Sequence, residues 1–189
     1  MPVGDDQRQH IEITRDAAIR FNGRFGDTFV LPEAVMPAAG ARVMSLQDPS
    51  SKMSKSDESD AGCVYLIDEP KAVLKKFKRA VTDSETGPDS VRFDRDEKPG
   101  VSNLLEINAA VTGRTPEAVA DEYEQYGALK VDTGEAVVAV LEPIRDRYLE
   151  LMDDRGELAR LLRIGADKAR DVASETLDRV HRAIGMVPN

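Results

Sequence analysis

From Pro70 onward the chain offers almost nothing suited to a sheet, and that texture limits its fold more than any other feature. Leu158, Leu161, Leu162, Ala169, Val172, Ala173, Thr176, Leu177, Val180 and Ile184 trace one apolar stripe. Glu157 to Ile184 therefore reads as a long bundle helix, ended by Gly185 and Pro188. Thr133 to about Met152 reads as a second long helix, which Pro143 should kink rather than end. Thr115-Pro116-Glu117 sets a capping hydroxyl and a first-turn proline before a helix running to about Tyr126. Two more helices are expected over Lys71–Val81 and Asn103–Val111, joined by a polar link from Thr82 to Gly100.

The first third is mixed. Ile11, Ala18 and Phe21 recur at roughly helical spacing between Gln7 and Asn22, with Asn22-Gly23 as the stop. Phe29-Val30-Leu31 is a short strand candidate closed by Pro32, and residues 33–42 carry two prolines and a glycine, as a surface loop does. Val43-Met44-Ser45-Leu46 is another short element, and Cys63-Val64-Tyr65-Leu66-Ile67 is the last β-prone run before the turn Asp68-Glu69-Pro70. The expected class is α/β over residues 1–68 followed by all-α over 69–189, mostly helical overall.

Composition narrows the function classes. With 41% hydrophobic residues in 189 the chain can bury a real core, and with no Trp that core must rest on Leu, Ile, Val and Ala. A single cysteine, Cys63, excludes an internal disulfide framework and any Cys-rich metal site, so a reduced, cytoplasmic setting is expected, with Cys63 buried and inert. No apolar run reaches the roughly 18 residues of a membrane span. His10 and His181 have no companions at metal-ligand spacing, so no metal site is assigned. A formal charge of −9 argues against wholesale nucleic-acid coating. It leaves room for a local basic face at Lys71, Lys75, Lys76, Lys78 and Arg79. The same residues also read as the solvated side of a helix that turns Val73, Leu74, Phe77 and Val81 inward.

Two stretches carry chemistry. In PSSKMSKSDES, Lys52 and Lys55 stand three apart among serines, with Met53 the only large apolar residue between Pro49 and Ala61. Such a stretch makes neither a good helix interior nor a strand, and reads as a loop. Two ammonium groups and several hydroxyls on a loop suit a polyphosphate, because lysine acts on phosphate as a movable point charge. Near the start, Gly4-Asp5-Asp6-Gln7 leads from a strand end into the first helix. A glycine there lets a ligand approach the backbone, the helix N-terminus favours anions, and carboxylates at such turns commonly hold ribose hydroxyls. An Asp acting as an N-cap explains the same residues.

The five residues KMSKS match the second signature of class I aminoacyl-tRNA synthetases. PVGDDQRQHIEITRDAAIRFN resembles the region of bacterial tryptophanyl-tRNA synthetases that carries their G-[DE]-D-Q motif, and ARVMSLQDPSSKMSKSD resembles their lysine loop. AVTDSE, KPGVSNLLEI and GADKARDVASETL resemble their C-terminal helical part, in the family's order over nearly the whole chain. Tyrosyl enzymes differ around the D-Q and lack KPGVSNLL.

The resemblance implies a Rossmann-type catalytic domain with a helical anticodon-binding domain, here divided as 1–68 and 69–189. It implies activation of L-tryptophan with ATP and Mg²⁺ to tryptophanyl-adenylate, and transfer to tRNA(Trp). By matching position, Gly4, Asp5 and Asp6 fall in the ATP-binding turn, with Asp6 as ribose ligand, and Gln7 lies between amino acid and nucleotide. Val43 presents backbone to adenine. Lys52, Met53, Ser54, Lys55 and Ser56 form the mobile loop, whose Lys52 and Lys55 are the catalytic cations that stabilise charge on the leaving pyrophosphate. The family is generally homodimeric.

One departure is large. The family's H-I-G-H-type ATP signature and most of its tryptophan pocket have no counterpart here. Residue 1 corresponds to a point inside the parent domain. The expectation is the C-terminal half of a Rossmann-type parallel sheet followed by the helical bundle, inactive without the missing half. The alternative expectation is a non-catalytic module that binds tRNA or a partner.

Overall fold

A computed structural model describes residues 1–36, 42–55 and 60–186. It is mostly helical, with α1 (Arg8–Phe25), α2 (Pro70–Lys78), α3 (Pro99–Thr112), α4 (Pro116–Ala120), α5 (Tyr126–Asp153) and α6 (Arg155–Ala183). The chain divides into two compact units, Met1–Met36 with Glu150–Asn189, and Pro37–Leu149. No helix among the described residues is long and apolar enough to cross a membrane.

In the first unit, a one-turn 3-10 helix (Asp5–Gln7) runs straight into α1. α1 does not stop at Asn22-Gly23. It continues to Phe25 and ends at Gly26, whose φ of 88° is a conformation glycine adopts without steric penalty. Asn22 ties down the turn beyond. Its Oδ1 accepts the Thr28 and Phe29 amides at 3.1 and 2.9 Å, and its Nδ2 donates to the Phe29 carbonyl at 2.8 Å. Phe21 packs on Phe25 and edge-on to Phe29, with centroids 4.8 and 4.9 Å away. These contacts use Phe29 as a helix cover, so the expected strand at Phe29–Leu31 does not form. Pairing occurs instead at one parallel bridge, Pro2 with Val35. α6 is capped by Asp154, which accepts the Glu157 amide at 2.9 Å, and ends one residue short of the expected Ile184. None of its residues is buried. Leu162, Val172 and Leu177 on the expected stripe are 65%, 73% and 53% exposed.

The second unit holds the main core, and α3 is its axis. Every residue from Gly100 to Ala109 is buried, so α3 has no solvent face over that run. Val73 and Phe77 of α2, Val119 and Ala120 of α4, Leu129 and Val137 of α5, and Leu46 join the same cluster. Burying a Leu such as Leu104, Leu105 or Leu129 contributes about 1.5–3 kcal/mol. One glycine is required by close approach: a Cβ on Gly100 would strike the Val81 backbone carbonyl. α3 begins at Pro99, four residues earlier than expected, because proline at the first turn gives up no hydrogen bond. It ends at Gly113 in the left-handed region, with φ 71°.

α4 starts as expected, with the Thr115 hydroxyl accepting the Ala118 amide, but ends at Ala120. α5 takes up at Tyr126, earlier than the expected Thr133, and runs through Pro143 without interruption. Tyr126 is drawn in because its hydroxyl donates to Asp83 at 2.6 Å and accepts from Lys98 at 2.8 Å. α2 stops at Lys78 rather than Val81, since the Val81 amide leaves the helix to donate to the Leu46 carbonyl at 2.7 Å.

Among the described residues there is no strand longer than a single bridge. The runs Val43–Leu46 and Cys63–Ile67 therefore correct two more strand expectations. Met44 pairs with Lys52 in one antiparallel bridge, and Leu46 donates to the Gly62 carbonyl, but neither pairing extends. After Cys63 the chain turns back through Tyr65–Asp68, held by Lys76, whose ammonium donates to the Cys63 carbonyl and to Asp68 at 2.7 and 2.6 Å. Cys63 is buried, as expected.

Candidate functional site

Lys52–Lys55 ride on the returning limb of a tight hairpin-like loop. Its two limbs are joined by the Met53 amide to the Val43 carbonyl at 3.0 Å, and by the Ser45 amide to the Ser51 carbonyl at 2.9 Å. The tip is built by Asp48. Its carboxylate accepts the Ser50 and Ser51 hydroxyls, both at 2.6 Å, and the Ser50 amide at 3.1 Å. Those bonds, the Ser50 and Ser51 hydroxyls foremost, hold the Asp48 carboxyl below the usual carboxylate range. The serines that composition marked as loop-forming thus also brace the turn before the lysines.

Met53 decides which way the motif faces. It is half-buried and packs on the core cluster, as does Val43, while Lys52 and Lys55 on either side are exposed. Spacing explains this, since one apolar residue anchored inward leaves both ammonium groups outward. Ser54 is half-buried, and Ser56 lies outside the described residues.

Gly4–Gln7 belong to the other compact unit and are described within it. Gly4 has φ −76° and ψ 166°, ordinary extended backbone, so the turn itself does not demand glycine. Its carbonyl accepts the Gln7 amide at 3.0 Å. Asp5 and Asp6 occupy the first turn, where the N-terminal end of the helix favours negative charge. Asp5 faces Arg8 at 3.5 Å, Gln7 Nε2 donates to Asp6 at 3.0 Å, and Gln7 Oε1 lies 3.0 Å from His10 Nδ1. All are exposed except Gly4, which is half-buried. Neither aspartate uses its side chain as a helix cap: the residues before both the 3-10 turn and α1 make no side-chain capping bond.

Two buried polar residues absent from the sequence-based site stand at the start of α3 and on it. Asn103, 3% exposed, bonds the Met44 backbone. Lys98, 1% exposed, ends the polar link and joins Asp83, Glu85 and Tyr126 at 3.1, 2.7 and 2.8 Å. Burial pushes the Lys98 ammonium down, but Glu85, Tyr126 and Asp83 outweigh it and hold it well above the usual lysine range. Burial likewise pushes the Asp83 carboxyl up, and the Tyr126 hydroxyl, the Glu85 amide and Lys98 outweigh that, leaving it lowered. The signal was present in the sequence. Lys98 and Asn103 both fall in KPGVSNLLEI, where polar residues interrupt an apolar helix.

On α2, Lys76 turns inward, whereas Lys71, Lys75, Lys78 and Arg79 are exposed and line a shallow depression of about 360 Å³ with Leu74. Val73 and Phe77 turn inward as expected, whereas Val81, also expected inward, is exposed.

Residues 1–148 match the family model described as tRNA synthetases class I (W and Y). The whole chain is 55% identical to a tryptophan–tRNA ligase 1 of Streptomyces coelicolor, covering 55% of that protein. It is 50% identical to a tryptophan–tRNA ligase of Mycobacterium leprae, covering 54% of it. The chain therefore spans about half the length of the curated relatives it matches. Among solved structures, a tryptophanyl-tRNA synthetase from Mycoplasma pneumoniae matches 98% of the chain and 55% of its own, with a TM-score of 0.85 and 32% identity. One from Campylobacter jejuni, complexed with ADP and tryptophan, matches 98% of the chain and 56% of its own, with a TM-score of 0.62 and 31% identity.

Proposed function

We propose, for a chain that belongs to the class I tRNA synthetases of the W and Y family, that it supplies part of a tryptophan–tRNA ligase. In this reading the enzyme forms tryptophanyl-adenylate from L-tryptophan and ATP and passes the amino acid to tRNA(Trp). Residues 1–68 contribute the later part of a Rossmann-type catalytic domain, and 69–189 contribute the helices that receive tRNA. The 189 residues alone do not complete the reaction, since the relatives that perform it are about twice as long. We also infer a cytoplasmic setting and a homodimeric whole enzyme.

The observation that carries the reading is the lysine loop, with Met53 seated on the core and Lys52 and Lys55 exposed on either side. The chemistry needs no protein nucleophile. The tryptophan carboxylate attacks the α-phosphorus of ATP, the α–β bridging bond breaks, and pyrophosphate leaves with the electrons. Orientation and charge stabilisation supply the rate, and two cations on a loop stabilise the leaving pyrophosphate. Gly4, Asp5 and Asp6 would form the ATP-binding turn with Asp6 on the ribose. Gln7 would lie between the substrates, and the Val43 backbone would meet adenine. Met53, Ser54 and Ser56 would complete the loop's hold on the nucleotide. No group of three or more His, Cys, Asp or Glu among the described residues is arranged to hold a metal. Mg²⁺ would enter as the counter-ion that ATP brings with it.

ATP titration of the chain tests the assignment. Lys52→Ala with Lys55→Ala is expected to weaken ATP binding at least tenfold while leaving the thermal midpoint unchanged, because both side chains are exposed. Equal affinity in the double variant would remove the lysine loop from the site.

The exposed cations Lys71, Lys75, Lys78 and Arg79 favour a second reading, a tRNA- or partner-binding module without chemistry. It predicts tRNA binding that weakens steeply with salt and whose salt slope falls when these four are replaced by Gln, with no effect of ATP. Salt-independent binding would exclude it.

A further inference from the structure

We infer that Asn103 is a positioning residue for the lysine loop, acting as a one-residue substitute for a neighbouring strand. The inference rests on the loop's role proposed above.

Its basis is the hydrogen-bond pattern around Met44. In an antiparallel pair, alternate residues turn their amide and carbonyl away from the partner limb. Met44 and Lys52 are such a pair. The bonds that join the two limbs come from the flanking residues, Met53 to Val43 and Ser45 to Ser51. The Met44 N–H and C=O therefore face outward from the loop, on its half-buried side. A further strand would ordinarily satisfy them, and unsatisfied they would cost the loop its seat on the core.

Asn103 satisfies both. Its Oδ1 accepts the Met44 amide at 2.9 Å, and its Nδ2 donates to the Met44 carbonyl, also at 2.9 Å. A carboxamide carries one acceptor and one donor side by side, which matches one residue of strand backbone. Asn103 is 3% exposed and stands on α3, the most deeply buried helix, so it is a rigid anchor. Directly across the loop from the residue it grips stands Lys52. Loss of the carboxamide would free the outgoing limb, and with it the register of Lys52 and Lys55. The neighbouring tie between Leu46 and Gly62 would remain.

Deuterium exchange on the 189-residue chain tests the anchor directly, using Asn103→Leu, with Asn103→Ala as the smaller replacement should the first misfold. Amides of residues 43–53 are expected to exchange at least tenfold faster, while those of α3 and α5 keep wild-type rates. Unchanged rates over 43–53, or equal loosening throughout α3 and α5, would overturn the inference and leave Asn103 an ordinary core residue. The functional readout is tryptophan-dependent ATP–pyrophosphate exchange by the chain mixed with the first half of the Streptomyces coelicolor relative. A positioning role predicts kcat reduced at least tenfold, with the KM for tryptophan within twofold of wild type. Unaltered kcat would contradict it. Silence of the wild-type mixture would count against the proposed function, while the deuterium result would still decide whether Asn103 anchors the loop.

Discussion

At the scale of single residues, Lys98 shows how much a polar stretch can conceal. Thr82 to Gly100 reads as a solvated link, yet its lysine is the most buried cation in the second unit and its two acids close over it. The acids are the more exposed partners, with side chains 31% and 45% accessible against 1% for Lys98. Removing them strands a buried charge, whereas removing the lysine leaves carboxylates that water can reach. Asp83→Ala with Glu85→Ala is therefore expected to lower the thermal midpoint more than Lys98→Met; the reverse order would mean that Lys98 is hydrated. The pH dependence follows from the directions of the shifts. Asp83 is lowered in the fold, so its contribution is complete above about pH 4 and fades as pH falls through the lowered value. Lys98 is raised, so its contribution is complete below about pH 10 and fades only as pH rises beyond its ordinary range. Stability from this cluster should accordingly be flat across neutral pH. The lysine loop was legible at this scale because KMSKS is a local signature. The polar interruptions in KPGVSNLLEI flagged Asn103 and Lys98 but not their roles, which depend on Met44, Asp83 and Tyr126, residues 15 to 59 positions away.

At the scale of elements, the helices followed from periodicity and capping, and the strands did not follow at all. Thr115-Pro116 marked a true helix start. Helical bonds are local, so such signals suffice to place them. A strand needs a partner, and Phe29–Leu31, Val43–Leu46 and Cys63–Ile67 find at most one paired residue or none. Their β-prone side chains instead cover α1, anchor the loop base and turn back toward α2. α3 and α6 define the two extremes of helix burial, and stability should reflect that. Leu105→Ala, at 0% exposure, is expected to cost about 2–5 kcal/mol in denaturant unfolding. Leu162→Ser, at 65% exposure, should stay within about 0.5 kcal/mol. A large cost at Leu162 would mean that the α6 stripe is covered in solution. The stripe's periodicity was a correct guide to the helix but not to its burial.

At the scale of the whole molecule, an acidic chain with a net charge of −9 exposes cations on the lysine loop and the outer face of α2, and also along α1 and α6. The net negative charge argues against wholesale coating of a nucleic acid. The compact units divide the chain as 1–36 with 150–189, and 37–149, while the proposed division by function runs after Asp68. The Gly4–Gln7 turn and the lysine loop lie in different units. The most direct test is tryptophan-dependent ATP–pyrophosphate exchange, measured on the 189-residue chain alone and with the first half of the Streptomyces coelicolor relative added. The chain alone is expected to show no exchange and the mixture to show it, with at least a hundredfold loss when Lys52 and Lys55 are both alanine. Exchange by the chain alone, or a mixture indifferent to the two lysines, would contradict the proposed function.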